Sequence, residues 1–100
     1  FMSFGFDDTY SPEPNQRAIG GAMGLRLGAG QEVSGFTAVE YPVSGNRTGN
    51  GEPVTALMVA AEPDGYDGHF VIFRDTVLAR QSMEFLATKI RDGIPTVTGP

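Results

Sequence analysis

Glycine and proline interrupt this chain so often that little room is left for long regular elements. There are 14 glycines and 7 prolines in 100 residues, against a combined share of about 12% in ordinary proteins. They are spread along the chain and do not form a low-complexity tract. Both residues mark turns, so the short apolar runs between them read as strands. A chain of this length buries roughly two-thirds of its unfolded surface, which supports one hydrophobic core.

The one long regular element the sequence predicts is a helix over residues 75–92. Asp75 is a candidate N-cap. Leu78, Ala79, Ser82, Met83, Leu86 and Ile90 gather on one side, with Phe85 at the margin. Arg80, Glu84, Thr88 and Arg91 take the other side. Lys89 and Arg91 suit the negative end of the helix dipole, Gly93 is placed as a C′ cap, and Pro95 follows the stop. The apolar stripe is expected to pack on a sheet, with Leu78, Leu86 and Ile90 in the core.

The rest reads as strands. Met2, Phe4 and Phe6 share one face of an extended segment. Residues 7–16, acidic and holding Pro12 and Pro14, read as a solvated arm. A glycine-rich strand is expected from Ile19 to Leu27, a second from Glu32 to Val43, and an interior strand over Val54–Ala61. Pro63-Asp64-Gly65 is a turn leading to a strand over His69–Arg74. Short connections imply antiparallel pairing. The expected fold is therefore α+β: an antiparallel β-meander of four to five strands with one C-terminal helix on one face. Residues 1–16 form an N-terminal arm and acidic loop, and residues 17–100 a single domain.

Composition excludes several functions. The net charge is −5 with only 7 Lys and Arg, which argues against nucleic acid and against an anionic membrane surface. No apolar run approaches the ~18 residues of a membrane helix. Zero Cys removes disulfides, thiolate nucleophiles and Cys-bound zinc. No leader is visible; Phe1 cannot be a native start, whereas Met2 could be. All basic residues but Lys89 are arginine, which fits a bacterial or phage protein of the cytoplasm.

The best ligand-site candidates lie in Glu62–His69. Asp64, Asp67 and His69 could converge there, and carboxylates with an imidazole can hold a divalent metal. Turn chemistry alone also explains these residue types. No serine sits in a Gly-x-Ser-x-Gly elbow, and the glycines at 20, 21, 24, 28 and 30 miss the dinucleotide pattern because position 33 is valine. Met2, Phe4, Phe6 and Tyr10 are candidates for contact with a partner by strand addition. Ile19–Leu27 is the least guarded strand, and its edge is expected to pair with the N-terminal segment or with a second copy. The function expected is a non-enzymatic acidic accessory, adaptor or inhibitory protein that binds another protein or itself, without a cofactor. The alternative is a small-ligand or divalent-metal-binding domain, possibly hydrolytic, with its site at 62–69.

Overall fold

The computed structural model describes residues Phe1–Pro100. In chain order they form β1 (Met2–Gly5), α1 (Glu13–Ala22), β2 (Arg26–Gly28), β3 (Ala38–Val39), β4 (Val43–Ser44), β5 (Arg47–Gly49), β6 (Glu52–Val54) and β7 (Leu57–Ala61). A 3₁₀ turn (Gly68–Phe70), α2 (Val71–Arg74), α3 (Thr76–Asp92) and β8 (Thr96–Val97) complete the chain.

The main sheet has the order β1-β7-β2-β3, and every pair in it is parallel. The fold is α+β as expected, but the antiparallel meander is overturned. Parallel strands that follow one another in sequence need a crossover, and α1 supplies it between β1 and β2, which flank β7 in the sheet. Antiparallel pairing survives only in two small ribbons, β4 with β8 and β5 with β6.

Of the strand expected over Ile19–Leu27, residues 19–22 are the end of α1 and only Arg26 and Leu27 are strand, in β2. Pro12 stands at its N-cap and Pro14 within its first turn, where a missing N–H costs nothing and a fixed φ favours the helix. Gly20 serves packing: a Cβ there would lie 3.1 Å from the Phe36 ring and 3.2 Å from the Met58 sulfur. Glycine there lets the helix lie close against the sheet. The expected solvated arm is instead a docked loop from Phe6 to Pro12 that buries Asp8, and β2 sits inside the sheet and exposes no edge. The strand expected over Glu32–Val43 is reduced to two short pieces, β3 and the start of β4.

The interior strand expected over Val54–Ala61 is β7, limited to Leu57–Ala61 and apolar on both faces, whereas Val54 lies exposed in β6. The alternation of β7 divides the core. Leu57, Val59 and Ala61 face one cluster with Val43, Val71, Leu78 and Val97. Met58 faces the other with Phe4, Leu25, Leu27 and Val33.

The segment His69–Arg74 is helical, not a strand. Asp67 accepts the His69 amide at 2.9 Å and so caps the 3₁₀ turn that leads into α2.

α3 has the expected ends. The Leu78 amide donates to Asp75 Oδ1 at 2.8 Å, and Gly93 closes the helix with φ 81°. Its orientation differs from the expectation. Leu78, Gln81 and Thr88 are buried, whereas Met83 is 66% exposed, Leu86 57% and Ile90 87%. The C-terminal segment explains the rotation. Gln81 Nε2 donates to the Thr98 carbonyl at 2.6 Å, and the Thr96 amide donates to Thr88 Oγ1 at 2.8 Å. These bonds satisfy the polar groups that burial would otherwise leave unpaired, so the face holding Gln81 and Thr88 turns inward and the Met83–Ile90 stripe turns out.

Candidate functional site

β1 and β7 are adjacent and parallel, so the loops that follow them leave the same edge of the sheet. In open α/β sheets this carboxyl edge is where ligands bind. The β1 loop runs through Phe6–Pro12, and the β7 loop through Glu62–Asp67 into the 3₁₀ turn.

Asp7 takes a left-handed conformation, φ 52°, which carboxamide and short carboxylate side chains tolerate better than others. Asp8 then points inward and is buried. Its Oδ1 accepts the amides of Tyr10 at 2.8 Å and Ser11 at 2.7 Å, a self-contained turn that fixes the carboxylate. Its Oδ2 lies 3.4 Å from His69 Nδ1. The Tyr10 ring packs over the imidazole with centroids 4.7 Å apart, and Phe70 meets it edge-on at 5.3 Å.

A second carboxylate joins the two loops. Asp67 accepts the Thr9 amide at 3.2 and 3.3 Å and the Thr9 hydroxyl as well. The Thr9 hydroxyl, followed by the His69 amide, holds the Asp67 carboxyl below the ordinary carboxylate range. A cavity of about 200 Å³ opens beside the pair, with Asp8, Ser11, Gln16, Gly68 and His69 among its lining residues. A larger cavity, about 710 Å³, lies elsewhere, between Arg26, Glu40, Asn46 and Arg47.

Of the residues singled out from sequence, Asp67 and His69 therefore come together. Asp64 is exposed in its turn and joins neither. Asp8 and Thr9 lie in the segment whose composition reads as an acidic arm; the one signal for them is the Asp-Asp-Thr run directly after an apolar strand, informative only once β1 and β7 are neighbours. No three His, Asp or Glu side chains are arranged to hold a metal ion. Of the N-terminal candidates, Phe4 is fully buried in the chain's own core, Met2 and Phe6 are half-buried against it, and Tyr10 is exposed beside His69.

The outward face of α3 is the second candidate. Met83, Leu86 and Ile90 project from it, and Phe73 of α2 is also 81% exposed. Three large side chains on one helix face amount to roughly 300 Å² of apolar surface, the size of the largest patch on an ordinary monomer and often a functional one.

No helix is long and apolar enough to cross a membrane. Comparison with protein-family models, curated proteins and solved structures finds no match to this chain.

Proposed function

We propose that this chain is a non-enzymatic accessory protein that acts by binding protein, and that the outward face of α3 is its contact surface. The observation that carries this reading is the placement of Met83, Leu86 and Ile90 in solvent while Gln81 and Thr88 of the same helix are buried. Apolar side chains are costly in water, and each contributes about 1.5–3 kcal/mol when covered. A negatively charged chain carrying an apolar helix face suits a protein partner better than a nucleic acid. The test places a photoreactive benzophenone at Met83 and irradiates the protein in its native host. Adducts that vanish when Leu86→Glu is added support the reading. Adducts unchanged by that substitution, or none at all, overturn it.

A second reading is favoured by the Asp8–His69 contact of 3.4 Å. The buried Asp8 carboxylate faces Nδ1 of the ring and can orient it, with Nε2 left to take a proton from a bound hydroxyl or amine. The cavity of about 200 Å³ admits only a small ligand. A fragment screen followed by the His69 ring resonances tests it: perturbations at His69 and Gly68 lost in Asp8→Asn support the site, and ring resonances that no fragment moves remove it.

A further inference from the structure

Resting on the reading of α3 as a contact surface, we infer that its occupant is α3 of a second copy, packed antiparallel. Ala79, Met83, Leu86 and Ile90 are spaced 4, 3 and 4 residues apart. That is the a/d spacing of a coiled-coil seam, and it lies on the face turned away from the core. Ala79 is half-buried at one end of this seam, and Ile90 is its most exposed member.

The orientation follows from size and charge. An antiparallel pair sets each a position against a d position of its neighbour. Met83 then meets Leu86 of the second copy, and Ile90 meets Ala79, so a large side chain fills the space over a small one at both ends. A parallel pair would set Ala79 on Ala79 and Ile90 on Ile90, leaving one layer thin and the other thick. It would also collect Lys89 of both copies at one end, whereas antiparallel packing sets Lys89 beside Ser82 and Arg80 beside Ala87. Arg80 is in any case held away from the seam: it pairs with Glu84 at 3.1 Å and donates to the Gly99 carbonyl at 2.9 Å. Antiparallel helices also oppose their dipoles.

The area sets the strength. The seam is about 17 Å long, and pairing two such faces with their flanks buries roughly 1,000 Å² in all, at the low end of specific interfaces. A contact of this size fits a weak, reversible dimer.

Sedimentation equilibrium up to about 1 mM protein is the first measurement. The apparent mass should rise with concentration from 10.6 kDa toward twice that value. Leu86→Glu should stay monomeric with an unchanged melting temperature, because Leu86 is exposed within one chain. Register is read by disulfides, since the chain has no cysteine of its own. Ala79→Cys mixed with Ile90→Cys should give a heterodimer under mild oxidation, and neither alone should cross-link. Cross-linking of each variant with itself overturns the antiparallel arrangement. A monomer at about 1 mM overturns the dimer; if the Met83 photoprobe then captures a different protein, the contact surface stands, and if it captures nothing, both readings fall.

Discussion

Gly5 and Gly68 approach so closely that a methyl group on Gly5 would sit 2.0 Å from the Gly68 carbonyl oxygen. The fit is mutual: a Cβ on Gly68 would lie 1.9 Å from the Phe6 carbonyl oxygen. Two backbones meet here with no side chain between them, at the carboxyl end of β1. The contact presses the β1 loop against the 3₁₀ turn and so brings Asp8 to His69 and Thr9 to Asp67. Glycine is required by space, since neither residue has a positive φ.

Gly5→Ala and Gly68→Ala should each destabilise the fold by about 3 kcal/mol or more, beyond the usual cost of overpacking because backbone must move. For a domain of this size that lowers the melting temperature by more than about 10 °C. Gly21→Ala, where an added Cβ meets nothing, is the control and should be neutral or stabilising, since alanine favours a helix by up to about 1 kcal/mol. Equal melting temperatures for Gly5→Ala and Gly21→Ala would refute the close contact.

Two leucines of α3 should respond oppositely to truncation. Leu78 is 1% exposed and sits in the core cluster with Leu57 and Val71; Leu78→Ala should cost about 2–5 kcal/mol. Leu86 faces solvent, and Leu86→Ala should change stability by less than about 0.5 kcal/mol in the dilute monomer. Urea titrations at low protein concentration decide this. A large loss at Leu86 would mean that the helix is turned as its apolar periodicity alone suggests.

Asp67 links proton binding to folding. Its folded pKa lies below the unfolded value, through the Thr9 hydroxyl first and the His69 amide second. The stabilisation is therefore full above the ordinary aspartate pKa of about 3.9 and fades as pH falls through the lower, folded value. Thr9→Val removes the leading cause, so the Asp67 titration should move up toward the ordinary range. Carboxyl NMR shifts in the two proteins measure this directly, and an identical titration would show that the Thr9 bond is absent in solution.

What the sequence disclosed follows the range of the interactions involved. The ends of α3 were readable because Asp75 and Gly93 act within a few residues of themselves. The central place of β7 was readable because burial on both faces leaves a continuous apolar run. Parallel pairing was not, because it joins Met2 to Met58 and Leu27 to Ala38, and nothing local distinguishes a short parallel strand from a hairpin arm. α1 was hidden by its glycines, and the reason for Gly20, contact with Phe36 and Met58, lies far along the chain. The rotation of α3 was hidden likewise: its inward polar face depends on Thr96 and Thr98, which show no such role until β8 has docked. Within the site, Asp67 and His69 are neighbours in sequence and could be seen together, whereas Asp8 is brought to them only by the parallel sheet.

Gln16 offers a test of how β1 survives as an edge strand. Its side-chain oxygen accepts the Gly5 amide at 3.0 Å, and its nitrogen donates to the Gly5 carbonyl at 2.9 Å and to the Ser11 carbonyl at 2.8 Å. One buried side-chain amide thus stands where the next strand would be, completing the ladder that β7 begins on the other side. Gln16→Leu keeps the bulk and leaves two buried backbone groups of Gly5 unpaired, so it should cost about 2–4 kcal/mol. Gln16→Glu keeps one acceptor but sets a carboxylate against the Gly5 and Ser11 carbonyls. Burial and these oxygens favour the protonated acid, which raises the folded pKa of the new side chain above its unfolded value of about 4.3. The folded state then binds the extra proton, so stability falls as pH rises through this window. The deficit of Gln16→Glu relative to the parent should be largest near pH 7 and shrink on acidification toward pH 4, as the acid regains a donor. Gln16→Leu should show no such recovery. Matching pH profiles for the two variants would mean that Gln16 acts through its volume and not as a substitute for a strand.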